Sequence, residues 1–126
     1  MPHTIRLFLL LEGASFVLAG LVHFGVLAGG YEHRSAGTAE SVIGAVLLVA
    51  VGLSWGLPAW TRTLGIVAQG FALLGTLVGA VTIAIGVGPR TLPDVAYHAA
   101  ILLALGWGLV VAMRAPADTA SARTAP

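Results

Sequence analysis

Four long apolar runs, separated by three short polar or Gly/Pro-rich connections, set the plan of this chain. They cover residues 5–28, 39–57, 62–87 and 94–113. Each meets the need for roughly 20 mainly apolar residues, at 1.5 Å rise, to cross a bilayer. The second is the shortest and would stand nearly upright; the third is long enough to tilt. The first connection, Gly29-Gly30-Tyr31-Glu32-His33-Arg34-Ser35-Ala36-Gly37-Thr38, reads as a polar loop. Pro58 ends the second run in a tight turn with Ala59, Trp60 and Thr61. Gly86, Gly88 and Pro89 stop the third, and Pro93 with Asp94 starts the fourth as a helix N-terminus. A soluble bundle would give each helix a polar face, and these runs have none. The expected fold is therefore all-α: one domain over residues 1–114, a four-helix transmembrane bundle, up-down-up-down, with a disordered tail over 115–126 rich in Ala, Thr, Pro and Ser.

Composition sharpens this picture. Of 126 residues, 58% are hydrophobic and only 9% charged, against about 25% charged in soluble domains. A net charge of +1 leaves no basic field for nucleic acid. With no cysteine there is no disulfide, thiolate metal site or thiol nucleophile. Arg6 precedes the first run as in a signal peptide, but Glu12 interrupts that run and its apolar character extends past the usual h-region, so it reads as a retained helix. Arginine counting places Arg6, Arg62, Arg114 and Arg123 on one side and Arg34 and Arg90 on the other, which predicts both termini in the cytoplasm and Trp55 and Trp60 at the inner interface. Gly52 with Gly56, and Gly75 with Gly79, are small-xxx-small pairs suited to close helix packing, within the chain or across a homodimer.

Candidate chemistry begins with the ionisable groups inside the runs. Glu12 and His23 are 11 residues apart, roughly 20° off one line, so both face the same way, about 16 Å apart in depth. That face must look into the bundle. At the depth of Glu12, Gln69 on the third helix and Trp107 on the fourth are its expected partners, with Glu12 and Gln69 a buried polar pair. Nearer the outer end, His23 shares its level with Glu40 and Ser41 at the start of the second helix and with Asp94, Tyr97 and His98 at the start of the fourth. Glu40 and Asp94 can be read as helix-terminal charges, with the histidines as interfacial hydrogen bonders. Alternatively His23 and His98 with a carboxylate form a ligand set for a divalent metal, or the two histidines are axial ligands of haem. A third reading needs no cofactor: His23, Glu40, Asp94, Tyr97 and His98 line the mouth of a small-molecule pocket between helices. No nucleophile motif, phosphate loop or dinucleotide fingerprint is present.

The segments Gly20-Leu21-Val22-His23-Phe24, Ala39-Glu40-Ser41-Val42-Ile43-Gly44 and Asp94-x-x-Tyr97-His98, with Arg6 ahead of the first helix and an arginine opening the third, resemble the small four-helix membrane proteins called DoxX-like. The resemblance covers most of residues 5–113. It implies a four-helix fold in a bacterial inner membrane. Some members of that family are tied to quinone-linked redox or stress systems, and there is no shared catalytic motif to carry over. The leading expectation is a non-catalytic, small-molecule-binding or accessory membrane subunit. An oxidoreductase subunit holding haem, metal or quinone through His23 and His98 is the first alternative, and a proton-coupled transporter using Glu12 the second.

Overall fold

In a computed structural model of the chain, which describes residues 1–117, four helices account for most of the backbone: α1 (Pro2–His23), α2 (Arg34–Gly56), α3 (Thr61–Ala84) and α4 (Leu92–Arg114), with a 3₁₀ turn at Pro58–Trp60. No strand occurs among the described residues. Each helix is long and apolar enough to cross a membrane. Most of the expected tail lies outside the described residues.

The helices are displaced from the apolar runs. α1 starts at Pro2, with proline in its first turn where no N–H is needed, and stops at His23 although hydrophobic residues continue to Ala28. The stop is made by Gly25, whose φ of +73° places it in the left-handed region. α2 begins at Arg34, five residues before the second apolar run. The His33 side chain caps it by accepting from the Ala36 N–H, and the His33 N–H donates to the His23 carbonyl, which joins the end of α1 to the start of α2. α4 opens with a capping box between Thr91 and Asp94.

The bundle is apolar outside as well as in its core, and its ionisable groups are largely buried. Leu11, Leu18, Val49, Val67, Leu74 and Leu103 point outward, whereas Glu12, His23, Glu40, Gln69 and Asp94 are buried. Ile5, Leu9, Leu47, Ala72 and Leu105 fill the spaces between them. An apolar shell over polar contacts is the arrangement that hydrocarbon solvent favours.

α1 and α2 share the most extensive interface, and glycine explains it. Gly13 and Gly20 on α1 meet Gly44 and Gly37 on α2: a Cβ on Gly44 would lie 3.1 Å from the Gly13 carbonyl oxygen, and one on Gly20 would lie 3.2 Å from that of Gly37. The two pairs have the same seven-residue spacing, which lets the backbones run close over two turns. The small-residue pairs singled out from the sequence divide. Gly75 and Gly79 face Ile43 and His98 of the same chain, whereas Gly52 and Gly56 face open space.

Candidate functional site

The connections α1–α2 and α3–α4 lie together at one end of the bundle, where the His33 imidazole reaches the Val87 carbonyl at 3.3 Å. Just beneath them, three helix termini converge. His23, the last residue of α1, is only 4% exposed. Its Nδ1 is 2.6 Å from Glu40 Oε2 on α2, and its Nε2 is 2.9 Å from Asp94 Oδ1 on α4. Asp94 serves two purposes, because its Oδ2 accepts from the Thr91 backbone N–H and hydroxyl in the capping box. The early start of α2 puts Glu40 nearly two turns inside that helix, so it is a side chain of the bundle interior rather than a helix-terminal charge.

Both ring nitrogens of His23 face carboxylate oxygens. They are satisfied by an imidazolium between two carboxylates, or by a neutral ring with one carboxylic acid. Either way two hydrogens fill the two contacts and the three groups together carry one net negative charge. Three of the four carboxylate oxygens have hydrogen-bond partners; the fourth, Glu40 Oε1, is buried without one.

The neighbouring side chains extend this cluster. Tyr97 hydrogen-bonds Ser15 at 3.2 Å and sets its ring edge-on against Phe16. The His98 Nδ1 donates to the carbonyl of Asp94 at 2.8 Å, which turns its Nε2 toward Gly79 on α3. The five residues expected around one pocket therefore line two cavities that share no wall residue. Glu40 and His98 belong to a cavity of about 350 Å³ reaching α3. His23, Asp94 and Tyr97 belong to a wider one of about 500 Å³ between α1 and α4, under Tyr31.

Glu12 and Gln69 meet deeper in the bundle, with the amide donating to Glu12 Oε2 at 3.0 Å. Neither lines the two cavities. The other expected partner, Trp107, is 61% exposed and faces away from the core. Glycine takes its place: Gly108 lies against both polar side chains.

Sequence reading missed a second cluster at the opposite end. Arg6 donates to the Ser54 hydroxyl at 3.0 Å and carbonyl at 2.6 Å, reaches the Thr61 hydroxyl at 3.4 Å, and stacks 4.3 Å over Trp55. It thereby ties the start of α1 to the end of α2 and the start of α3. The available signal was a buried Ser–Thr pair flanking the Pro58 turn, opposite the only cation of the first run.

Metal ligation would cost His23 a carboxylate bond, since neither nitrogen is free. Among the described residues no three His, Asp or Glu side chains are grouped as a metal set. The arrangement is a buried ionic clasp flanked by two cavities, one of them polar at one end and apolar elsewhere. A four-helix bundle with an apolar exterior and a few buried polar contacts set in an apolar core is the class that this fold and site define. No protein-family model, curated protein or solved structure matches the chain.

Proposed function

We propose that the chain is an integral membrane protein of the small-molecule-binding or accessory type, with its ligand in the cavity beside the His23–Glu40–Asp94 cluster. The observation that carries this reading is the cavity of about 350 Å³: Phe16, Ile43, Val78 and Ile83 give it apolar walls, while Glu40 and His98 supply a polar end. Ligand pockets in proteins range over about 300–1,000 Å³ and share this mix of apolar wall and few polar groups. The ionic clasp supports the reading by holding three helices at fixed positions around the opening.

The proposed setting is the inner membrane of a bacterium, with helices running up-down-up-down and both termini cytoplasmic, on the strength of the arginine distribution. A DoxX-like kinship is part of the proposal and rests on the segments around His23, Glu40 and Asp94. The outward pair Gly52 and Gly56 is the proposed seam of a homodimer.

Native mass spectrometry of detergent-released protein tests the binding reading, with an absorption spectrum recorded on the same sample. The expected result is a discrete non-covalent adduct, lost when Gly79→Leu fills the cavity, and no visible absorbance. An adduct insensitive to Gly79→Leu would overturn the site. A Soret band abolished by His23→Ala/His98→Ala would replace the reading with the redox one.

A further inference from the structure

The polar side chains around the smaller cavity are mostly acceptors. Thr76 donates its hydroxyl hydrogen to the Ala72 carbonyl and Thr82 donates to the Gly79 carbonyl, each at 2.7 Å, so both oxygens are left with lone pairs only. His98 spends its Nδ1 hydrogen on a carbonyl, so in the tautomer with one ring hydrogen Nε2, beside Gly79, is an acceptor. Glu40, itself 4% exposed, lines the cavity and has one buried oxygen without a partner. His33 donates nothing spare, since Nε2–H goes to the Val87 carbonyl and Nδ1 accepts from Ala36. Ser35 can serve either way.

Charge points in the same direction. With a hydrogen in each of its two contacts, the adjoining triad carries one net negative charge whichever atoms hold them. No arginine lines the cavity among the described residues, and the chain contains no lysine. A carboxylate oxygen left unpaired in a buried site is costly, and a donor supplied by a ligand would satisfy it.

We propose that this cavity receives a primary ammonium group carried on an apolar body, with Glu40, His98 and Thr82 accepting its N–H hydrogens and the apolar walls taking the chain. The inference rests on the binding reading above and specifies its ligand class. A primary ammonium has three donors and no acceptor, which matches an acceptor-lined site and a net negative cluster; an alcohol or a carboxylate does not. The same chemistry is offered by a free hydrophobic amine and by the ethanolamine headgroup of a phospholipid.

Isothermal titration calorimetry on the detergent-purified full-length protein at neutral pH tests this with n-hexylammonium, and with n-hexanol as the uncharged control. The expected result is saturable binding of hexylammonium at least tenfold tighter than hexanol. It should weaken at least tenfold in Gly79→Leu and severalfold in Thr82→Val, which is nearly isosteric and removes only a hydroxyl bonded within its own helix. Competition by dihexanoyl-phosphatidylethanolamine but not dihexanoyl-phosphatidylcholine would assign the site to the lipid headgroup; no competition by either would assign it to free amines. Equal affinity for hexanol would overturn the ammonium proposal and leave the binding reading standing. Hexylammonium binding unchanged in both variants would overturn it as well. Saturable binding of neither probe would remove both readings.

Discussion

A methyl group on Gly108 would fall on the amide nitrogen of Gln69 and 3.0 Å from Glu12 Oε1, in the middle of the bundle. The Glu12–Gln69 hydrogen bond has room only because α4 carries no side chain there. Gly108→Ala should lower stability by about 1–3 kcal/mol, the usual cost of overpacking a core. Gly106→Ala, which meets nothing, should instead raise it by up to about 1 kcal/mol through helix propensity. Thermal unfolding of both variants in one detergent checks the contrast. At the clasp, His23→Ala leaves two carboxylates facing each other, and breaking a buried ion pair from one side costs about 3–5 kcal/mol. Adding Glu40→Gln to His23→Ala should recover part of that loss, because one of the stranded charges is gone; a double-mutant cycle measures the recovery. Strict additivity in that cycle would show that the two residues do not act as one unit. Much of the residue scale was legible beforehand. The spacing of Glu12 and His23 assigns both to one helix face, and equal depth brings Gln69 to Glu12. Trp107 was misjudged because depth follows from counting residues, whereas the direction a side chain faces depends on how its helix is rotated against its neighbours.

Among the elements, the pairing of α1 with α2 depends on Gly13, Gly20, Gly37 and Gly44 at close backbone approach. Gly44→Val should destabilise the fold by about 1–3 kcal/mol, since its Cβ alone would already crowd the Gly13 carbonyl, Val17 and Phe16. Gly52→Leu should leave the unfolding temperature unchanged and weaken self-association, measured by sedimentation in density-matched detergent. A dimer unaffected by Gly52→Leu would remove that seam. Helix ends were the part of the elements that hydropathy could not show. Residues 24–28 are apolar yet non-helical because Gly25 turns the chain, and residues 34–38 are polar yet helical because His33 caps them and Gly37 fits under Phe24. Neither effect leaves a trace in a hydrophobicity profile. The consequence for the site is large, since the shift turns Glu40 inward to His23.

For the whole molecule, the outward leucines and valines and the inward ionisable groups set a surface suited to hydrocarbon. The chain has no cysteine, so single cysteines report topology without background. With both termini cytoplasmic, Ser35→Cys should react with an impermeant maleimide on intact spheroplasts and Ala59→Cys only after lysis. The reverse pattern would invert the proposed orientation.

By itself the sequence determined that four helices are long and apolar enough to cross a membrane and that Glu12 and His23 share one face, which in such a helix must turn inward. Both follow from quantities additive along one helix: the sum of hydrophobic transfer energies, and the cost of an unpaired polar group in hydrocarbon. Only the tertiary structure decided which polar groups meet. The clasp of His23 between Glu40 and Asp94, the division of the expected pocket into two cavities, and the Arg6–Ser54–Thr61 tie all depend on the relative rotation and approach of different helices. Those are set by glycine contacts and helix caps acting between segments far apart in the chain, and no single segment carries them.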